Sequence, residues 1–251
     1  MSGTRKVFRK AATPHARLAA ELDGLDALRA THAVRVPAVL GLDATGLTLE
    51  WLDLRPLDTH AGAALGRALA ALHRAPRGWD GGYGWRCDNY IGATPQPNAP
   101  SASWTTFFRQ QRLAPQLARA ARNGYDGALQ ANGARLLDAL DTLLAGHDPP
   151  PALLHGDLWS GNAGALPDGT PVIFDPAVYV GDREADLAMT ELFGGFPASF
   201  YAAYREAWPL DTGYALRREL YNLYHLLNHL NLFGSGYLDR CEGTISRLLA
   251  A

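Results

Sequence analysis

Over the first fifty residues, strand-like and helix-like patterns of apolar residues alternate. Apolar and polar residues alternate in KVFRK (6–10), which predicts a short strand, and two further strand-like segments follow at 34–43 and 46–54. Over 14–31, leucines recur every three or four residues, which is typical of one face of a helix. The order strand, helix, strand, strand therefore predicts a small mixed unit over residues 1–54.

Helical periodicity dominates the rest of the chain. It predicts helices over 60–75, 104–121 and 128–145, and a helical pattern from residue 182 to the end. The segment 76–101 is rich in proline and glycine, so we expect a long irregular connection there. Together these patterns predict a second, larger and mainly helical unit over residues 55–251.

Composition excludes several classes of protein. The chain has 251 residues, 47% of them hydrophobic, which is enough for a substantial core. Its 23 basic and 25 acidic residues give a formal net charge of −2, so nothing favours binding to nucleic acid or to an anionic membrane. Cys87 and Cys241 are too few for a disulfide framework, and we expect free thiols. With no apolar signal segment or membrane-spanning run, we expect a soluble cytoplasmic protein.

One segment, LLHGDLWSGN at 153–162, carries a set of polar residues that suggests chemistry. Asp157 lies two residues after His155, and Asn162 lies five residues after Asp157. A further aspartate, Asp175, follows the apolar stretch VIF. One such match alone is more often a turn. The agreement of spacing, strand context and a second aspartate favours a site, which we expect where loops follow two adjacent strands.

Phosphoryl transfer requires this combination of groups. It needs a carboxylate to orient the attacking hydroxyl and accept its proton, and oxygen ligands that hold Mg²⁺ against the phosphates. The spacing D-x-x-x-x-N is that of the kinase catalytic loop, and the later aspartate has the position of the kinase DFG aspartate. Asp157 is thus the candidate proton acceptor, with Asn162 and Asp175 as magnesium ligands. Pro176 and Ala177 replace the Phe-Gly of that motif, which favours a small-molecule kinase.

The N-terminal unit offers further candidates for the same function. A kinase needs a strand lysine that reaches the phosphates and a helix glutamate that orients it. Lys10 ends the first predicted strand and Glu21 lies in the following helix. Alone, the two would more simply be solvated surface charges. With the later loop they become candidates for ATP binding, and the backbone of Glu50, Trp51 and Leu52 becomes a candidate adenine site.

Four stretches of the sequence have a recognisable combination: LLHGDLWSGN, DPAVYVGDREADLAMTELFGGF, DNYIGATPQPN and YNLYHLLNHLNLFG. Together they resemble the fructosamine kinase family, within the wider group of aminoglycoside and choline kinase-like phosphotransferases. The resemblance runs from about Lys6 to the C-terminus. It implies an α+β, bilobal protein-kinase-like fold. The small, truncated, mixed N-terminal lobe would be residues 1–54, and the larger, mainly helical C-terminal lobe residues 55–251.

The resemblance also implies an activity, which is the ATP- and Mg²⁺-dependent phosphorylation of a sugar hydroxyl on a small-molecule or protein-bound ketosamine, promoting deglycation. Trp159 would either stack on the sugar or lie in the core, His155 would bind substrate, and Asp186 would brace the catalytic loop. Two alternatives stay open. The acceptor could be another small alcohol, of aminoglycoside or choline type, or the chain could be a kinase fold retained for binding.

One departure concerns the start of the chain. Family members carry a hairpin with a glycine-rich turn before the lysine strand, but only nine residues precede Lys10 here. At about 3.3 Å per residue they suffice for one strand and no hairpin. Either the true start lies upstream of Met1 or the hairpin is absent, in which case we expect weaker nucleotide binding.

Overall fold

A three-stranded antiparallel sheet forms the first part of the computed structural model, which describes residues 6–11 and 15–251. Its strands are β1 (Val7–Lys10), β2 (Val39–Asp43) and β3 (Gly46–Glu50), with β3 in the centre. Helix α1 (His15–Ala30) follows β1 and contacts β2 and β3. The predicted order of strand, helix, strand and strand is confirmed, although β3 ends at Glu50 because residues 51–54 form no ladder.

Helices make up most of the remaining chain. They are α2 (Thr59–Arg74), α3 (Trp104–Phe107), α4 (Ala114–Arg122), α5 (Ala128–Leu143), α6 (Glu184–Leu192), α7 (Ala198–Ala207), α8 (Tyr214–Phe233) and α9 (Leu238–Leu249). A π-helical segment, Phe108–Leu113, joins α3 to α4. Helix α2 packs on α7 so closely that a Cβ at Gly66 would lie 2.2 Å from the carbonyl oxygen of Phe200. The predicted helices are thus confirmed, and the segment after residue 182 divides into four.

Short two-stranded sheets lie between the helices and support the loops of interest. They are β4 (Asn89–Ile91) with β5 (Thr94–Gln96), β6 (Ala152–Leu154) with β9 (Tyr179–Gly181), and β7 (Ala163–Ala165) with β8 (Pro171–Ile173). The β4–β5 hairpin lies within the segment predicted to be irregular, because its three-residue strands are too short to show a period.

The expectation that two adjacent strands lead to the polar loops is wrong. Strand β6 pairs with β9 and β8 pairs with β7, so the two loops follow strands of different sheets. Backbone hydrogen bonds join the loops instead. The amide of Ala177 donates to the carbonyl of His155 at 2.9 Å, and the amide of Phe174 donates to the carbonyl of Asn162 at 3.0 Å.

A continuous core runs from α1 to α9 and includes the buried thiol of Cys241. Cys87 is exposed, and both cysteines are free, as expected. Within residues 6–11 and 15–251, no helix combines the length and the apolarity needed to cross a bilayer. The expected absence of a glycine-rich hairpin depends on residues 1–5, which lie outside the described residues, as does the predicted helix start at residue 14.

Candidate active site

A cleft of about 1000 Å³ brings together residues from distant parts of the sequence. One side is formed by β1, α1 and the β2–β3 turn, and the other by β4 and the loops that follow β6 and β8. The predicted site residues that line it are Lys10, Glu21, Asp157, Trp159, Asn162 and Asp175.

Asp186, in the first turn of α6, fixes the backbone of the loop after β6. Its Oδ2 accepts the amide of His155 at 2.7 Å and its Oδ1 accepts the amide of Gly156 at 2.8 Å. The imidazole of His73 lies 3.1 Å from Oδ2. Gly156 has a φ of +83°, and a Cβ there would lie 2.1 Å from the carbonyl of Ala177. The expectation that Asp186 braces this loop is therefore confirmed.

Asp157 presents to the cleft a carboxylate that has few partners. The amide nitrogen of Asn162 donates to its backbone carbonyl at 2.9 Å and, more weakly, to its Oδ2 at 3.4 Å. Burial, followed by the negative charges of Asp175 and Asp186, raises the pKa of Asp157 to about 7. A carboxyl group with a pKa near neutrality is suited to accepting a proton during a reaction.

His155 does not face the cleft, which contradicts the expectation that it binds substrate. Its side chain is fully buried, at 0% exposure. Nε2 lies 2.9 Å from the carbonyl of Phe174, and Nδ1 accepts the amide of Asp157 at 3.2 Å. Burial lowers the pKa of His155, which favours the neutral ring that this pair of bonds requires. His155 therefore positions the backbone of Asp157.

Lys10 lies between two carboxylates and joins the sides of the cleft. Its Nζ donates to Glu21 Oε1 at 2.8 Å and also to Asp175 Oδ1. Desolvation opposes the charge of Lys10, but Asp175 and Glu21 together raise its pKa. Burial also raises the pKa of Glu21, against the influence of Lys10. This partly buried network excludes the alternative that Lys10 and Glu21 are independent surface charges.

The two candidate magnesium ligands offer free oxygen atoms. Asn162 uses its amide nitrogen towards Asp157, and its Oδ1 accepts no hydrogen bond from the described part of the chain. Asp175 engages Lys10 through Oδ1 alone. Its φ of +57° is unusual for a residue with a side chain, and such backbone strain clusters at functional sites. An amide oxygen and a carboxylate in one cleft fit a hard divalent cation.

A second acidic cluster is structural. His147, Asp182 and Glu184 lie close enough to share a metal ion, but their oxygen atoms already have partners. Asp182 Oδ2 accepts the Tyr221 hydroxyl at 2.6 Å and lies 2.7 Å from His147 Nε2. Both carboxylate oxygens of Glu184 accept hydrogen bonds from Arg217, at 2.6 and 2.9 Å. We therefore assign this cluster to the core and not to a site.

The segment predicted to bind adenine does not line the cleft. The amide of Glu50 donates to the carbonyl of Ala38 at 2.9 Å, and its carboxylate pairs with Arg35. Trp51 is 48% exposed, and Leu52 is partly buried. None of these three residues is part of the cleft wall. Their contact with adenine stays a prediction.

An aromatic pocket of about 360 Å³ adjoins the cleft, and Gly92, Asp157 and Trp159 line both. Trp159 is 39% exposed, which excludes the alternative that it is a core residue. The aromatic rings of the pocket are those of Trp159, Phe193, His229, Phe233 and Tyr237. Sequence analysis found only the first of these, because the others lie in or beside the helices α6, α8 and α9.

Two cationic residues of the cleft were also missed. Arg9 and Arg17 line it beside Lys10. Arg9 sits next to Lys10 in β1, but a single strand position gives no sign of which side its side chain takes. Arg9 pairs with Asp43 at 3.0 Å, so it is the positive charge of Arg17 that suits a cleft for an anionic ligand.

Comparison with known proteins gives a consistent result. The family model described as "Fructosamine kinase" matches residues 2–251. The chain is 47% identical over 234 residues to the "Probable ketoamine kinase slr1563" of Synechocystis sp., covering 92% of this chain and 78% of that protein.

Solved structures show the same relationship. The "Putative fructosamine-3-kinase" of Thermobifida fusca superposes with a TM-score of 0.89 at 38% identity, covering 98% of this chain and 86% of that one. A choline kinase of Streptococcus pneumoniae matches with a TM-score of 0.67 at 13% identity, covering 100% and 88% of the respective chains, which shows the fold alone. The predicted protein-kinase-like fold is confirmed.

Proposed function

The chain belongs to the fructosamine kinase family, and on that premise we propose that it transfers the γ-phosphoryl group of ATP to a hydroxyl of a ketosamine, a sugar attached to an amine by glycation. The proposal rests chiefly on the position of Asp157, which lies where the polar cleft meets the aromatic pocket. The cleft has room and charge for a nucleotide, and the smaller pocket suits a sugar. Transfer between them occurs beside Asp157.

In the proposed reaction Asp157 is the proton acceptor. The acceptor hydroxyl oxygen attacks the γ-phosphorus, a new P–O bond forms, and the bond from the γ-phosphorus to the bridging oxygen breaks, which releases ADP. The hydroxyl proton passes to the Asp157 carboxylate. Phosphoryl transfer depends chiefly on positioning and on stabilising charge, so the fixed loop that carries Asp157 is central to the rate. Asp186 and His155 supply that fixation.

The remaining cleft residues hold the nucleotide. Asn162 and Asp175 would hold Mg²⁺, which when bound neutralises charge on the phosphates. Lys10, oriented by Glu21, contacts the phosphates, and the charge of Arg17 favours the same anion. Residues 1–54 thus form the nucleotide-binding lobe and residues 55–251 the catalytic and acceptor-binding lobe, with the cleft between them.

The aromatic pocket is the proposed acceptor site. Trp159 and Phe193 lie with their ring centroids 6.5 Å apart, and Phe193 lies 5.0 Å from His229. Aromatic faces of this kind pack against the apolar C–H surfaces of a sugar and leave its hydroxyls directed elsewhere. Because Trp159 borders both compartments, it can orient the sugar so that one hydroxyl meets Asp157.

A panel of acceptors tests the proposal. The protein is incubated with ATP, Mg²⁺ and, in turn, a fructosamine of a free amine, a glycated protein, an aminoglycoside and choline. ADP release is followed, and the product is identified by ³¹P NMR. We expect a phosphorylated ketosamine. Turnover of an aminoglycoside or of choline alone would assign a different acceptor, and binding of ATP with no turnover of any acceptor would favour a non-catalytic role.

A further inference from the structure

A separate basic pocket lies between the β4–β5 hairpin, the π-helical segment with α4, and Tyr224 of α8. It has a volume of about 290 Å³, and its lining shares no residue with the catalytic cleft or with the aromatic pocket. Three arginines contribute to its wall, namely Arg112, Arg119 and Arg122. One acidic residue, Asp88, lines the described pocket beside them, so the lining carries an excess of positive charge.

Arg112 is a buried cation that has no anionic partner among the residues that the structure describes. Its side chain is 0% exposed, and its guanidinium donates to the carbonyls of Pro97 at 2.6 Å and Gln111 at 2.9 Å, and to Asn98 Oδ1 at 2.8 Å. The ring of Tyr179 lies 3.9 Å away. Nε has no hydrogen-bond partner, and no carboxylate of the described residues lies within 4.0 Å. A buried unpaired charge is costly, so this one points to a missing anion.

Other hydrogen-bond donors of the pocket also lack acceptors among the described residues. Arg119 Nε and Thr94 Oγ1 are buried atoms that find no hydrogen-bond partner in residues 6–11 and 15–251. Arg122 is exposed and forms no ion pair with the described part of the chain. Among the described residues Asp88 forms no ion pair with these arginines, and its Oδ1 accepts the amide of Asn98 at 2.8 Å. Several donors and three positive charges therefore converge on one small space.

We propose that this pocket binds a small phosphate-type oxyanion, either inorganic phosphate or a phosphate monoester. Guanidinium groups match the oxygen atoms of phosphate in pairs, and three arginines with a hydroxyl offer more donors than the two oxygens of a carboxylate can accept. The volume lies at the lower end of the range for small-molecule sites, which suits a small anion better than a nucleotide.

A chain of hydrogen bonds joins this pocket to the catalytic cleft. Arg112 donates to Asn98, Asn98 Nδ2 donates to Asn89 Oδ1 at 2.9 Å, and Asn89 Nδ2 donates to the carbonyl of Val178 at 2.7 Å. Asn89 itself lines the catalytic cleft. An anion that orders Arg112 therefore acts on the β4–β5 hairpin that borders the reaction centre.

Calorimetric titration of the whole chain with inorganic phosphate, and separately with glycerol 3-phosphate, tests the proposal. The double variant Arg119→Gln, Arg122→Gln should bind the preferred anion at least about tenfold more weakly, since charge-assisted hydrogen bonds are lost. Thr94→Val is a second variant, which should weaken binding without lowering thermal stability because the hydroxyl has no partner to lose. Arg135→Gln, an exposed arginine bonded to Asn132, is the matched control.

Arg17→Gln alters the catalytic cleft and should leave the affinity of the basic pocket for the anion unchanged. Tighter binding of the ester than of phosphate would identify a monoester as the ligand, and equal binding would identify phosphate itself. Undiminished affinity in the double variant, a loss in Arg17→Gln instead, or no binding at millimolar anion would each overturn the proposal. Because no turnover is measured, none of these results bears on the proposed kinase activity.

Discussion

Asp157 and Asp186 are neighbouring carboxylates in opposite situations. Burial would raise the pKa of Asp186, but the hydrogen bond and charge of His73, with His155 and the Gly156 amide, hold the pKa of Asp186 below its usual value. Asp157 has one weak side-chain bond, from Asn162, and its pKa rises to about 7. A carboxylate saturated with donors stays ionised and fixes the backbone. One left short of donors is available to take up a proton.

The same contrast separates whole regions of the molecule. Tyr221 and Arg217 saturate the core cluster of Asp182 and Glu184. Asp175 in the cleft has a strained backbone and an oxygen that no described residue bonds. The acidic residues therefore divide into those that stabilise the fold and those that serve the proposed reaction. Variants at each kind of position should separate turnover from stability.

A large effect is expected for Asp175→Ala. Turnover should fall about a thousandfold, because a bound metal contributes several kcal/mol to stabilising a phosphoryl transition state. Thermal stability should change little, since the residue is half exposed. Steady-state kinetics across a range of Mg²⁺ concentrations, with melting curves, would check this. The matched control is Asp168→Ala, in the exposed β7–β8 turn. Unfolding of Asp175→Ala would instead place that residue with Asp186.

Asp186→Ala should show the opposite pattern. The free energy of unfolding should fall by about 3–5 kcal/mol, because the amides of His155 and Gly156 and the ring of His73 lose a buried anionic acceptor. Urea denaturation measures this. Since the pKa of Asp186 is lowered by folding, its contribution is present above the unfolded pKa of about 3.9 and is lost as the pH falls through the folded value. If the free energy of unfolding at neutral pH did not change, Asp186 would not stabilise the fold, and the contrast between Asp186 and Asp157 would be contradicted.

A smaller effect is expected at the aromatic pocket. Trp159→Ala should raise KM for the ketosamine about ten- to a hundredfold, because loss of the packed aromatic face removes roughly 1.5–3 kcal/mol of binding free energy. KM for ATP should rise less than KM for the ketosamine, because the rings that surround Trp159 lie on the acceptor side, although Trp159 itself borders both compartments. Steady-state kinetics with each substrate varied in turn would show the split. An equal rise in both KM values would indicate a general disturbance of the loop.

The smallest effect concerns Trp51, which lies outside the cleft wall. If its segment borders the adenine, Trp51→Ala should raise KM for ATP about threefold, as expected for a partly exposed contact. KM for the ketosamine should not change, which makes this variant the reciprocal of Trp159→Ala. A KM for ATP equal to that of the wild type would show that adenine binds elsewhere.

Local spacing made part of this site predictable. The interval from Asp157 to Asn162 is set within one loop, and Asp175 follows a recognisable apolar strand. Lys10 and Glu21 could be proposed because a strand and the next helix are neighbours in the chain. Their meeting with Asp175 required the fold, since 165 positions separate Lys10 from Asp175.

The remaining features depend on tertiary contacts that no local pattern contains. His155 and Asp157 are two residues apart, yet the left-handed conformation of Gly156 sends one side chain into the core and the other into the cleft. The partner that fixes this loop, Asp186, is held by His73 from α2. The aromatic and basic pockets likewise assemble from separate helices, so their residues show no common spacing.

Asp157→Asn tests most directly whether Asp157, the carboxylate with few hydrogen-bond donors, accepts the proton in the reaction. In a coupled ADP-release assay with a ketosamine, kcat should fall by about 10²–10⁴ while both KM values stay near those of the wild type. The melting temperature should not fall, because folding raises the pKa of Asp157 and so disfavours its charged form. The control is Asp168→Asn. Turnover near the wild-type rate, or loss of activity only together with loss of the fold, would contradict the account.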